Sequence, residues 1–353
     1  MTLAECVAKI KPIDRLMIDK SRKKWLTVAK PLFSLGRLEE LVSQIAAISG
    51  DIRAEVDKKA LVIMCADNGV VCEGVTQCNE SITAMVTENF TNRRASVSIM
   101  AQRAGCDIFP VDIGIAVDVP GVTAEGRKVR YGTDNIACGP AMTRDECITA
   151  IEIGINIVSE LKNKGYKLIA TGEMGIGNTT TSSAVASVLL GEAPEKVTGR
   201  GAGLSSEGLE RKVSVIKRAI EINAPEKNDI ADVIRCVGGL DIAGLCGVFL
   251  GGALYGVPII IDGFISAVSA LCTFRLCKAA RGYMIPSHVS KEPAGRLVLD
   301  ALGLVPYIDC GMFLGEGSGA VALMPLIDMA SDVYRDMQTF DDWTDHEGYK
   351  ILI

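Results

Sequence analysis

The sequence predicts an α/β protein, a parallel sheet flanked by helices. Three observations carry that reading. Short runs rich in Val, Ile and Leu alternate with longer stretches of helical periodicity, the pattern of strand–helix–strand units. The runs finish near Asp or Glu beside glycine, at the strand ends where open α/β sheets hold ligands. The chain has 353 residues, 48% hydrophobic and 23% charged, enough for about two domains and a core that needs no disulfide or metal.

In chain order, strands are expected at residues 60–67 (ALVIMCAD), 107–115 (DIFPVDIGI), 167–173 (KLIATGE) and 257–263 (VPIIIDG). Thr143 and Glu146 form a capping box that opens a helix through Leu161, ended by Asn163 to Gly165. A second helix opens at Ser206 and runs through Ile222, and a third, entered through Pro293, covers 294–302. Residues 116–140 are glycine-rich, weakly patterned and read as a long loop. Residues 1–50 and 325–353 are helical, charged and poor in glycine. They are expected to pack together as a small helical domain, leaving 51–324 as the α/β domain.

Residues 242–261 hold twenty positions without a charge, long enough to span a bilayer on length alone. Five glycines, Pro258 and the bounding Asp241 and Asp262, with no flanking Lys/Arg cluster, favour a buried helix followed by a strand. No membrane association is expected. The charged N-terminus has no apolar signal core, and a cytoplasmic protein with reduced cysteines is expected. The net charge of −6 and the lack of a basic run exclude a nucleic-acid partner.

Two histidines, His288 and His346, leave little for a histidine-rich metal site or a Ser-His-Asp hydrolase, so a general base is expected to be a carboxylate. None of the twelve cysteines forms a Cys-x-x-Cys pair, and no acidic cluster has metal-ligand spacing, so neither metal nor cofactor is expected. Asp67 and Asp241 are read as hydrogen-bonding and capping groups, and His288 as orienting its loop.

Glycine is the unusual count, 36 residues, and three loops concentrate it. The string TGEMGIGNTTTSS, residues 171–183, follows a strand and opens a helix. Its glycines allow close backbone approach, and the helix N-terminus favours an anion such as phosphate. Asn178, Thr179 and Thr180 add more donors than capping requires. The string is neither a P-loop nor a G-x-G-x-x-G fingerprint, which counts against a dinucleotide-dependent oxidoreductase. A second loop, VTGRGAGL at 197–204, precedes Lys212 by one helical segment. With the first loop it suits a phosphorylated sugar. The third, LGEGSGA at 314–320, places Glu316 between glycines, where a carboxylate away from cations gains a raised pKa suited to proton abstraction. Glu173 holds an equivalent strand-end position.

These strings, with CADNGVVCEGV (65–75), GGLDIAGLCGVFLGGA (238–253) and IIIDGFISAVSAL (259–271), resemble the nicotinate-nucleotide–dimethylbenzimidazole phosphoribosyltransferase family in sequence and in order. The resemblance spans about residues 30 to 325. It implies a Rossmann-like domain, a small helical domain from both chain ends and a homodimer. The implied reaction moves phosphoribose from nicotinate mononucleotide to an aromatic lower-ligand base, giving an α-ribotide 5′-phosphate and nicotinate. By the same resemblance Glu316 is the proton acceptor and Glu173 lies near the ribose. Gly175, Ile176, Gly177, Asn178, Thr179, Gly201 and Lys212 hold phosphate and ribose, while Asn79, Ser81, Met85 and Leu314 form the acceptor pocket.

The departures concentrate in that pocket. Asn79 and Met85 replace a proline and a glutamine of the family pattern, and its S-A-E-P-G-H string reads SKEPAG at 290–295. The acceptor implied is 5,6-dimethylbenzimidazole or a relative. The alternatives are a phenol or p-cresol acceptor with a paralogue in a heterodimer, or a non-catalytic paralogue supporting an active partner.

Overall fold

Residues 2–342 are described in the structure, which is a computed structural model. The chain enters through helices α1 (Leu3–Lys9), α2 (Arg15–Thr27) and α3 (Arg37–Ser49). Strand β1 (Lys59–Ala66) follows, then α4 (Ser81–Thr91), α5 (Ser96–Ala104) and β2 (Cys106–Gly114). After the long loop come α6 (Arg144–Asn163), β3 (Leu168–Met174), α7 (Asn178–Leu190), α8 (Pro194–Val197), α9 (Ser206–Asn223), α10 (Ile230–Val237) and α11 (Leu240–Tyr255). Strand β4 (Ile259–Ile261), α12 (Phe264–Leu276), β5 (Met284–Pro286), α13 (Gly295–Leu302) and α14 (Ser318–Asp336) complete the described chain. The strands form one parallel sheet in the order β2-β1-β3-β4-β5.

Burial explains why the strands are continuous apolar runs. Every residue of β1 is buried, as a parallel strand covered on both faces requires. Ala60, Val62 and Met64 enter one apolar cluster with α6, α11 and α12. Leu61, Ile63 and Cys65 point the other way, into a cluster with α2, α3, α5 and α14.

The capping box at Thr143 opens α6 where expected, and Ser205 caps α9. The uncharged stretch becomes α11, buried over its whole length to Ala253, and then β4. Gly154 of α6 faces Gly244 and Gly247 of α11, so the two backbones touch, which explains a glycine-rich helix without invoking lipid. No described helix is long and apolar enough to cross a membrane.

Two expectations need correction. The fourth strand covers only 259–261, because Val257 still bonds the Gly252 carbonyl at the end of α11 and Asp262 has left the sheet. Strand β5 is absent from the sequence reading; three residues are too short to carry a period.

Helices α2 and α3 meet α14 on one side of the sheet, while α1 lies on the other, where the Leu3 amide donates to Glu152 of α6 at 3.0 Å and Cys6 joins the cluster of α6 and α11. The Trp25 and Tyr334 rings lie 4.8 Å apart, and Tyr334 donates to Ser21 at 2.9 Å, which donates to Ser43 at 3.0 Å. Helix α14 runs unbroken through position 325, with Pro325 inside it. The remainder of the expected C-terminal portion, 343–353 with His346, lies outside the described residues.

Candidate active site

The carboxyl ends of β3 and β4, helix α4, the segment after β5 and the loop before α14 surround a cleft of about 310 Å³. Glu173 stands at the end of β3, and the tight turn 175–177 starts α7 directly behind it. The first residue of that helix, Asn178, donates through Nδ2 to Glu173 Oε2 and, at 3.0 Å, to Asp241 Oδ2. One amide thus bridges two buried carboxylates. Burial and the Asp241 charge push Glu173 up to about 8, while burial pushes Asp241 up to about 6.

Glu316 reaches the same end of the cleft from the opposite side. Gly315, Glu316 and Gly317 adopt left-handed backbone in succession, with φ of 83°, 61° and 92°. For a glutamate this conformation is strained, and strain of this kind persists only where surroundings enforce it. The Asp262 carboxylate is the enforcing group. It accepts from the amides of Gly317 (3.1 Å), Gly319 (2.7 Å) and Ala320 (3.1 Å), pinning the N-terminus of α14. Close packing does the rest: a Cβ on Gly172 would sit 2.6 Å from the Glu316 carbonyl oxygen, and one on Gly315 would sit 2.5 Å from Glu173 Oε1. Burial raises the Glu316 carboxyl above its usual range, the Val97 amide lowers it and the Asp262 charge raises it further; the balance is upward.

The other end of the cleft is the anion cradle. Thr179 and Gly201 line it, and Lys212 stands fully buried behind them. The Lys212 ammonium donates to Thr179 Oγ1 at 2.8 Å and to the Gly199 carbonyl at 3.2 Å. Burial brings its pKa down to about 8, opposed by the charge of Glu292.

Between the two ends lies an apolar wall of Ile82, Val86, Phe264, Ile265, Phe313 and Leu314. Helix α4 crosses the sheet end and is tied to the glycine turn by the Ile176 amide, which donates to Thr83 at 3.1 Å.

The family model described as phosphoribosyltransferase (DBI_PRT) matches residues 10–343. A nicotinate-nucleotide–dimethylbenzimidazole phosphoribosyltransferase from Acetivibrio thermocellus is 50% identical over 325 residues, 92% of this chain and 93% of its own. Its namesake from Ruminiclostridium cellulolyticum is 49% identical over 354 residues and full-length in both. The chain belongs to this phosphoribosyltransferase family. The crystal structure of CobT from Thermus thermophilus superposes with a TM-score of 0.86 at 36% identity, covering 92% of this chain and 98% of that one.

With the family known, the positions of its expected site residues in this chain can be stated. Glu316, Glu173, Gly175, Ile176, Asn178, Thr179, Gly201 and Leu314 all line the cleft. Gly177 lies beneath it against Val70 and Val71, and Lys212 is one layer behind. Asn79, Ser81 and Met85, expected in the acceptor pocket, are exposed and lie outside the residues that line the cleft. The helix presents one face, so Ile82 and Val86, four residues apart, form the wall. Ser81 and Met85 take the adjacent outward face, and Asn79 accepts from the Ser81 amide at the helix start.

Sequence reasoning missed Asp262, Ser290, Glu292 and Phe313 as cleft residues. Asp262 carried a usable signal, an Asp-Gly pair closing an expected strand. His288, expected to orient its loop, is buried at the cleft wall, with Nδ1 3.2 Å from Ser287 Oγ. Among the described residues no group of three or more His, Cys, Asp or Glu is arranged to hold a metal.

Proposed function

We propose that this protein transfers phosphoribose from nicotinate mononucleotide to 5,6-dimethylbenzimidazole or a related aromatic base, giving an α-ribotide 5′-phosphate and nicotinate. One observation carries the reading. Two carboxylates of raised pKa, Glu173 and Glu316, meet at one end of a cleft whose other end is an anion cradle backed by a buried lysine. Phosphate at Thr179, Gly201 and Lys212 directs the sugar C1′ toward the carboxylates.

The incoming ring nitrogen forms its bond to C1′ on the face opposite nicotinate, and the C1′–nicotinate bond breaks with its electrons returning to the pyridine nitrogen. That ring is cationic before departure, so no strong acid is needed. The N–H proton of the acceptor passes to Glu316, and Glu173, kept protonated by its raised pKa, lies beside the ribose as a hydrogen-bonding group. Holding both reactants in one cleft supplies up to ~7–11 kcal/mol in favourable cases. The wall of Ile82, Val86, Phe264 and Phe313 suits a flat aromatic acceptor.

The reading includes a cytoplasmic homodimer and a small domain of residues 1–50 and 325–353. The test is product analysis. Purified protein is incubated with nicotinate mononucleotide and, separately, 5,6-dimethylbenzimidazole, benzimidazole, adenine, phenol and p-cresol. A benzimidazole ribotide phosphate detected by mass supports the proposal. Product with the phenols alone, or with none, overturns it.

A further inference from the structure

Among the described residues, Glu292 is the one acidic side chain lining the phosphate end of the cleft, and its position is unusual for a carboxylate. Its backbone is anchored: its amide donates to Ser290 Oγ at 3.3 Å, its carbonyl accepts from Gly295 at 2.8 Å, and Pro293 follows. Its side chain lies against the loop at 199–201, so close that a Cβ on Gly199 would collide with the carboxylate. Oε2 is buried and has no hydrogen-bond partner. Leaving such an oxygen unpaired is costly.

Lys212 is the complementary oddity. Two other buried lysines, Lys30 and Lys59, pair directly with Glu39 and Asp328 at 2.5 Å each. Lys212, equally buried, bonds two neutral oxygens, and no described carboxylate lies within ion-pair distance. Its counter-charge is Glu292, held on the other side of the glycine loop, where its charge still reaches Lys212. A buried cation and a half-buried anion thus face each other across Gly199–Gly201, the segment through which a phosphate would be gripped.

We propose that Glu292 is a built-in counter-anion of the phosphate cradle: in the empty protein it balances Lys212, and the substrate phosphate takes over that balance and drives Glu292 aside. This inference rests on the phosphate placement given above. Binding then costs the displacement of one anion by another, so Glu292 sets the affinity for the mononucleotide and holds it below what the cradle alone would give. Burial raises the Glu292 carboxyl above its ordinary range, against the lowering effects of the Lys212 charge and the Gly201 amide.

The experiment measures inorganic phosphate and nicotinate mononucleotide affinity by calorimetry, and Tm with and without phosphate, for the wild type, Glu292→Gln, Lys212→Met and the double variant. Glu292→Gln is expected to bind both ligands roughly fivefold to tenfold tighter, as removal of a nearby like charge should give. Its Tm should fall without phosphate and recover with it, its KM should drop more than its kcat changes, and the double variant should bind phosphate more tightly than Lys212→Met does, because the like-charge repulsion is removed there too. Glu292→Ser, which also removes the charge, should shift affinity in the same direction. Weaker binding by Glu292→Gln would make Glu292 a favourable ligand contact and overturn the proposal. Unchanged affinity with a uniform Tm loss would make it structural and do the same. If Lys212→Met binds phosphate as the wild type does, the cradle itself is misplaced and both readings fall.

Discussion

Asp262 fixes the backbone of Glu316 without contacting its carboxylate. By accepting from three amides just beyond Glu316, at 2.7 to 3.1 Å, it holds a glutamate at φ 61° with its side chain over the cleft. The strand end thus stabilises a strained loop, and the loop delivers the carboxylate. Asp262→Ala leaves three buried amides without an acceptor, at a cost of about 2–3 kcal/mol in unfolding free energy. Chemical denaturation should show that loss, and kcat should fall much more than the KM for nicotinate mononucleotide rises. A variant that loses stability but keeps kcat would show that the loop needs no such anchor.

Glu316 and Lys212 predict the pH profile from opposite sides. The base must be ionised to accept a proton, and its raised pKa moves the acid limb of kcat/KM above the usual carboxylate range. The Lys212 pKa is lowered to about 8, so the free protein loses the cradle charge as pH rises through that value and kcat/KM for the mononucleotide falls again. Glu316→Gln should abolish the acid limb and lower kcat by about 10²–10⁴ while leaving mononucleotide affinity nearly intact. Steady-state rates from pH 5 to 10 check both limbs.

Glu173 predicts how stability depends on pH. Its folded pKa of about 8 lies above the ordinary 4.5, so the folded state retains a proton that the unfolded chain has already released. Stability therefore declines as pH rises between those two values, by roughly 2–4 kcal/mol. Glu173→Gln keeps an acceptor for Asn178 and carries no charge, so the decline should flatten, leaving mainly the smaller contribution of Asp241, raised to about 6. Urea midpoints measured at pH 5 and pH 8 for both proteins make the comparison. Equal declines in the two would remove Glu173 as the titrating group.

Why some of this was legible in the sequence and some not follows from the range of the forces involved. Capping at Thr143, the β3–α7 glycine turn and the glycine-flanked Glu316 are local, and local chemistry writes local signals. The Asn178–Asp241 link joins residues 63 apart, and Asp262 reaches 55 to 58 residues to the start of α14. Such pairings exist only after the sheet brings strand ends together. The same holds for Glu292, which meets the Gly199 loop through β5, a strand too short to anticipate.

The outward turn of Met85 makes the last prediction. A helix gives only one face to its neighbour. On α4 that face carries Ile82 and Val86, flanked by the buried Thr83 and Thr87. Ile82→Ala enlarges the apolar wall and removes contact with the acceptor ring. The acceptor KM should rise about tenfold, in line with roughly 1–3 kcal/mol for pocket methylenes, with little change in the mononucleotide KM. Met85 is 55% exposed, so Met85→Ala should leave the acceptor KM unchanged. Initial rates with each substrate varied in turn distinguish the two variants. An acceptor KM that responds to Met85 and ignores Ile82 would mean that the ring binds on the other side of this helix, and with it the direction from which Glu316 receives its proton would have to change.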